Sequence, residues 1–369
     1  EQQFGSPGQS QRWINILGNV PAAEVSTLSY SLNGGAFRPL SIGADGRRLE
    51  RPGDFNVEID FAELDGSNVD DVVTIRAQMT SGLIVTRDVV VNYEDSYSWP
   101  KNYDIDWGGV TDLQDVVAVV DGAWSHDAVG VRPTIVGYDR LLVLGDGSWD
   151  NYEATMTVTT HDLTVSTRQS PGFAFGMLWN GHTDDPVSGF QPHAGWEPGA
   201  AFFYKTNNGS PVLDLHEYHN FDKVRSLPFN LAEGNTYEVK IRVEQADIFD
   251  RVYKIKIWAE GTAEPTDWLI EYTDRFSEPV TGSLYLNAHR VDVSFGDISV
   301  REIPGHDIVP GSGAPRFWSR STCRVPILAG ASATSWSAAG ARTYLCSATR
   351  PASSTTMTWR LPMAGPITP

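Results

Sequence analysis

Between Pro211 and Asn220 the chain reads Pro-Val-Leu-Asp-Leu-His-Glu-Tyr-His-Asn, placing a carboxylate, an imidazole and a phenol at every second position. Side chains alternate across a pleated strand, so Asp214, His216 and Tyr218 share one face and Leu213, Leu215 and Glu217 the other. If the leucines turn to a core, the opposite face is free for chemistry. An acid, a base and a hydroxyl in one row can hydrogen-bond a sugar or move protons on it, and these three are the catalytic candidates. A half-buried strand with a solvated outer face would show the same pattern.

A second concentration lies in the stretch from Trp179 to Glu197, which holds Trp179, His182, Asp185, His193 and Trp196 between two strand-like runs. Aromatic faces stack on sugar rings while acids and imidazoles bond hydroxyls, so this loop is expected to form a binding edge. A well-packed surface loop is the competing reading. Lys205, Asn287 and His289 lie on neighbouring strand-like runs and complete the substrate-binding set.

The elements that must position these residues are strands. From Arg12 to Glu94, short alternating runs such as Phe55-Asn-Val-Glu-Ile-Asp60 are spaced by turn signals such as Asn33-Gly-Gly35, the pattern of a small antiparallel sandwich. From about 105 to 303 come longer runs, among them Gly172 to Trp179, Thr236 to Val243 and Val291 to Val300, with no long amphipathic helix between them. The fold class expected is all-β: a module over 1–95, a packed linker over 96–104, a larger sandwich over 105–303 and a tail over 304–369. After Asp307 the tail has no Asp, Glu or Lys. Such a composition buries little apolar surface, so the tail is expected to be disordered.

The 369 residues carry 28 Lys and Arg against 46 Asp and Glu, a formal charge of -18, which repels nucleic acid and anionic membrane surfaces. The Val116 to Val120 run is far shorter than the roughly 20 residues a spanning helix needs. The chain opens at Glu1, which fits removal of a leader, and its acidic, Trp- and Tyr-rich composition fits a secreted or cell-surface protein that handles polysaccharide. Both cysteines, Cys323 and Cys346, lie in the tail, where pairing would close one local loop.

The strands Tyr152-Glu-Ala-Thr-Met-Thr-Val158, Gly234-Asn-Thr-Tyr-Glu-Val-Lys-Ile-Arg-Val243 and Tyr253-Lys-Ile-Lys-Ile-Trp258, followed by Gly282-Ser-Leu-Tyr-Leu-Asn287 and Val293 to Val300, together resemble the concanavalin A-like lectin and glucanase superfamily. The resemblance covers about residues 105 to 303 and implies a jelly roll of two stacked sheets, one of them holding sugar. The N-terminal module resembles immunoglobulin-like or fibronectin-like sandwiches, in architecture only. The function this resemblance implies is a secreted protein that binds and cleaves a polysaccharide in the jelly-roll groove, as a glycoside hydrolase does, with a non-catalytic binding or adhesion protein as the alternative and a polysaccharide lyase as a further one. The Glu-x-Asp-x-x-Glu row of its laminarinase branch is missing, since Asp214 and Glu217 are three apart and fall on opposite faces. A lyase would use His216 and Tyr218, with Asn287, His289 and Arg242 or Lys240 offsetting substrate charge. The resemblance also implies a structural Ca2+, with Asp297 of Phe295-Gly-Asp matching the family's acid and Asp121 as its partner.

Overall fold

The computed structural model describes residues 2–66, 69–164, 170–182, 191–193, 195–196, 198–207, 209–217, 222–247, 250–275 and 278–304. The expectations for Tyr218, Asp185, the two cysteines and the tail beyond 304 lie outside the described residues.

Among the described residues helix is confined to three short 3-10 turns, and the chain is otherwise built from strands. The N-terminal part contributes β1 (Gln2–Phe4), β2 (Trp13–Asn19), β3 (Val25–Leu32), β4 (Arg38–Leu40), β5 (Asp54–Asp60), β6 (Asp70–Met79) and β7 (Ile84–Tyr93). They form a five-stranded sheet, β1-β7-β6-β3-β4, facing a two-stranded one, β2-β5. Between them Ile14, Ile16, Tyr30, Val57, Ile59, Val73 and Val91 make a separate apolar cluster. Alternation dictates this: Ile14 and Ile16 point inward, while Trp13, Asn15 and Leu17 on β2 and Asn56 and Glu58 on β5 share the outward face.

The larger part runs through β8 (Tyr103–Ile105), β9 (Ala118–Asp121), β10 (Trp124–His126), β11 (Val131–Pro133), β12 (Arg140–Leu144), β13 (Tyr152–Asp162), β14 (Gly172–Trp179), β15 (Ala200–Asn207), β16 (Ser210–Glu217), β17 (Lys223–Pro228), β18 (Thr236–Gln245), β19 (Arg251–Ala259), β20 (Ile270–Asp274), β21 (Ser283–His289) and β22 (Asp292–Glu302). Two sheets result. One has the order β10-β11-β22-β13-β18-β19-β20 with β8 also paired to β22, and the other is the seven-stranded β17-β16-β15-β14-β21-β12-β9. Their non-consecutive pairing is that of the all-β jelly roll anticipated from the strand runs. The core between the sheets takes Phe173, Phe175, Phe202, Leu213, Leu215 and Leu286 from one side and Met156, Val239, Ile241, Ile255, Phe295 and Ile298 from the other.

The outward face of the eight-stranded sheet is a ladder of paired charges. Arg242 binds Glu153, and Lys240 binds Glu264 at 2.7 Å, with Lys256 on the same carboxylate at 2.9 Å. Arg242 and Lys240, offered above as partners for a uronate, therefore stand on the other sheet from Asp214 and are occupied by acids.

The stretch 96–104 is built into the jelly roll rather than spanning a gap. Trp99 is buried in the main core, Tyr103 to Ile105 pair with β22, and Lys101 reaches Asp150 and Glu302. Both sandwiches belong to one compact unit, Glu1–Val309.

Candidate functional site

The face of the seven-stranded sheet that points away from the core carries three rungs, fixed by register. The first holds Lys205, Gly172 and His289, the second Ser226, Asp214, Phe203, Ala174, Asn287 and Leu141, and the third His216, Ala201, Gly176 and Tyr285. The expected orientation of Asp214 and His216, opposite the core leucines, is the one found. On these rungs the middle strand β14 contributes Gly172, Ala174 and Gly176, a floor of small residues that is itself buried, with the Tyr285 ring lying over Gly176.

One wall is cationic and acidic together. Asp214 is fully buried, with Lys205 Nζ at 3.1 Å, His216 Nε2 at 3.8 Å and Lys223 Nζ at 4.0 Å, and Ser226 Oγ donates to it. A buried carboxylate needs such partners because desolvation of an unpaired charge costs several kcal/mol, of order. Lys205 also lies 5.0 Å over the Phe203 ring. On the opposite wall Asp139 accepts from His289 Nδ1 at 2.7 Å and from Asn287 Nδ2 at 3.2 Å, and the Tyr138 ring meets His289 edge-on at 4.9 Å. Phe203 stands between the two imidazoles, 6.4 Å from His216 and 5.9 Å from His289, both edge-to-face. Phe203 and Asp139 carried no periodic signal. Asp139 sits in the turn immediately before β12 with a φ of +47°, which sequence spacing does not reveal.

One end of the floor is closed by a bulge. Inward residues on β14 are Phe173, Phe175 and Met177, yet Leu178 also packs inward, and the register shifts between Gly176 and Trp179. Leu178 takes a φ of +54°, a conformation that costs a branched residue of order 1–2 kcal/mol. The extra residue turns Trp179 to the outward face, where it clusters with Tyr285, Leu141, Val143 and Trp196.

Trp179, His182, His193 and Trp196 do not form the exposed sugar edge expected of them. Trp179 and His182 are fully buried, and the Trp13 indole donates to the His182 carbonyl oxygen. His193 stacks on Trp13 at 4.4 Å and bonds Glu58 through Nδ1. Gln191 pairs with the Leu40 and Glu58 backbone, and its Nε2 donates to Tyr30 Oη. The described residues of this loop, His182 and Gln191 to His193 among them, form a seam between the jelly roll and the outward face of β2 and β5. The physical reason is that this face offers an indole and a buried carboxylate, which bind imidazoles as well as a sugar would.

Asp121 sits in the same seam. Its carboxylate accepts from Arg48 Nε at 2.8 Å, and Arg48 Nη1 donates to Glu58 at 2.6 Å. Asp297 belongs to the other sheet, is exposed, and accepts from the Trp107 backbone N–H at 3.0 Å. The two acids expected to share Ca2+ are thus not together. Among the described residues no group of three or more His, Cys, Asp or Glu side chains could hold a metal ion, whereas Ca2+ takes roughly 6–8 oxygens.

Two buried carboxylates share one guanidinium, and they divide the charge unequally. Burial raises the Glu58 carboxyl, but Arg48 and the His193 donors override it and bring it down to about 2. Asp121 is pushed up to about 7, chiefly by burial, with Arg48 only partly offsetting it. His182 is held well below its ordinary range by burial and by Arg48, and is neutral. The raised Asp121 value contributes stability that is full below about 4 and is lost as pH rises through 7. The lowered Glu58 value contributes stability above about 4.5 that is lost as pH falls toward 2. Chemical denaturation across this range is expected to show greatest stability near pH 4, with the decline toward neutrality removed by Asp121→Asn. A flat profile above pH 4 in the parent chain would contradict the assignment.

No family model matches the chain, and no curated protein matches it. Among solved structures it is similar to the carbohydrate-binding module CBM66 from Bacillus subtilis, at 12% identity over 50% of this chain and 95% of that one, with a TM-score of 0.35. It is also similar to the carbohydrate recognition domain of Emp46p in its metal-free form, at 11% identity over 56% and 99% and a TM-score of 0.40. The Ca2+-bound exoplasmic/lumenal domain of VIP36 gives 11% identity, 55% and 90% coverage and the same TM-score, 0.40. At these scores the likenesses decide nothing about the site, whose reading depends on its own residues.

Proposed function

We propose that the chain is a secreted or cell-surface carbohydrate-binding protein that holds a polysaccharide along the outward face of its seven-stranded sheet, on the rungs around Phe203. The observation that carries this is Phe203, half-buried between two imidazoles that are each backed by a carboxylate. The ring gives a sugar a stacking surface. The flanking His, Asp, Asn and Lys groups supply donors and acceptors for hydroxyls. The N-terminal module, in this reading, is an immunoglobulin-like support that fixes the jelly roll through the seam.

Binding rather than cleavage is the primary reading because Asp214, the acid on this face nearest to His216, is buried and already bonded to Ser226 and paired with Lys205. One observation favours cleavage as a second reading. Asp139 fixes His289 through Nδ1, which leaves Nε2 able to accept a proton, as a base in a lyase or a hydrolase would. Incubation with neutral and uronic polysaccharides, followed by retention, reducing-end and unsaturated-product assays, separates the two. Retention without new reducing ends or absorbance is expected. His216→Ala and His289→Ala should each weaken retention about tenfold or more, equal to about 1.4 kcal/mol, while the melting temperature changes little. Unchanged retention in both variants would remove the sheet face from consideration.

A further inference from the structure

Where β2 and β5 meet β9 there is a cavity, separate from the sheet face, of about 200 Å3. Its two unsatisfied groups are of opposite kind. Arg48, only 7% exposed, binds Glu58 and Asp121 through Nη1 and Nε, and its Nη2 has no hydrogen-bond partner. Asn56, 1% exposed, donates through Nδ2 to Asn15 and leaves its Oδ1 without a donor. Both residues line this cavity. A buried donor and a buried acceptor left unmade each cost roughly 1–3 kcal/mol, so the pair points to something that donates and accepts at once.

Water alone accounts for a neighbouring space better than for this one. The cavity beside it, lined by Trp99 and Gln11, measures about 40 Å3, and its unpartnered Trp99 Nε1 and Gln11 Oε1 are served by a water or two. At 200 Å3 the seam cavity would need a cluster of about six or seven waters at roughly 30 Å3 each. An anion is disfavoured by charge. The guanidinium groups of Arg48, Arg51 and Arg140 face the carboxylates of Glu50, Asp54 and Asp121, and Arg48 and Arg51 are already ion-paired with them. Leu17 and Ile135 add an apolar wall, and Leu17, 37% exposed, stands at the surface.

The geometry points to a second ligand site in this seam, for one neutral, hydroxyl-rich ring such as a single sugar residue. Its hydroxyls accept from Arg48 Nη2 and donate to Asn56 Oδ1, while its C–H face lies on Leu17 and Ile135. The site is independent of the sheet face, and an occupant would touch both sandwiches and so stabilise their docking by mass action.

The test is ligand-observed NMR on the full chain with the methyl glycosides of glucose, mannose and galactose, and with inorganic phosphate as a control anion. Two variants accompany it: Leu17→Trp, which fills the space from an exposed position, and Asn56→Ala, which removes the acceptor. At least one neutral glycoside should saturate the parent, and each variant should weaken it about tenfold or more, with thermal unfolding reporting that Leu17→Trp stays folded. His216→Ala should leave this binding intact, which separates it from polysaccharide retention on the sheet face. The inference is overturned if no neutral glycoside saturates, if saturation survives in Leu17→Trp, if phosphate alone binds, or if His216→Ala abolishes the signal.

Discussion

Arg48→Ala is expected to lower the stability of the compact unit by about 3–5 kcal/mol, the usual cost of deleting one partner of a buried ion pair. The argument is one of stranded charge. Arg48 and Glu58 are both buried, their side chains 5% and 1% exposed, and Glu58 keeps its charge into acid because the guanidinium neutralises it. Removing the cation leaves that carboxylate in the seam with only imidazole and amide donors. Glu58→Gln in the Arg48→Ala background should recover a large part of the loss, since the surviving group would be neutral. Urea midpoints for the single and double variants measure both effects. A double variant no more stable than the single one would show that Arg48 acts through packing and not through Glu58.

Gly176→Ala is the second large effect. A methyl group there would stand 1.7 Å from a Tyr285 ring carbon, far inside contact distance, and the neighbouring ring atoms are at 2.0 and 2.3 Å. Tyr285 cannot retreat easily, because it packs edge-on against Trp179 at 6.0 Å and Trp196 at 5.2 Å. Overpacking of this kind costs about 1–3 kcal/mol and sometimes more. The floor of the sheet face should be deformed at the same time, so polysaccharide retention is expected to fall with the melting temperature. A fully stable Gly176→Ala protein would mean that the ring moves freely and that the close approach has no structural role.

What the sequence disclosed of this protein follows from how local each feature is. Period-two alternation over Leu213 to His216 is set by the pleat, and the face carrying Asp214 and His216 was legible for that reason. Glu58 lies in an equally regular run, Phe55 to Asp60, but its outward face is covered by another part of the chain, and alternation does not distinguish a covered face from a wet one. The cluster of imidazoles and indoles between Trp179 and Trp196 has the composition of a sugar edge and of a docking seam alike. Only the partner across the gap decides, and here Trp13 and Glu58 come from more than a hundred residues away. Trp179 shows a further limit: its face is assigned by a bulge at Leu178, and strict alternation of β14 would have placed it on the same side as Phe173 and Phe175.

The pairing of β22 with β8, β11 and β13 has a consequence for synthesis. The hub of the eight-stranded sheet is its last strand to leave the ribosome, so β13 has no neighbour on that side until residue 302 exists. The contact of the N-terminal segment with β21 forms almost as late, because Ser283 Oγ donates to the Ser10 carbonyl oxygen and β21 precedes β22 by only a short turn. β13 ends at residue 162 and β22 at residue 302, so at about 5–20 residues per second roughly 7–28 s pass with an apolar strand face and an open hydrogen-bonding edge in water. Contacts of such long range also close slowly once the chain is complete. The protein is therefore vulnerable to aggregation from the completion of β13 to that of β22, and any nascent chain stopped before β22 carries an unfinished sheet.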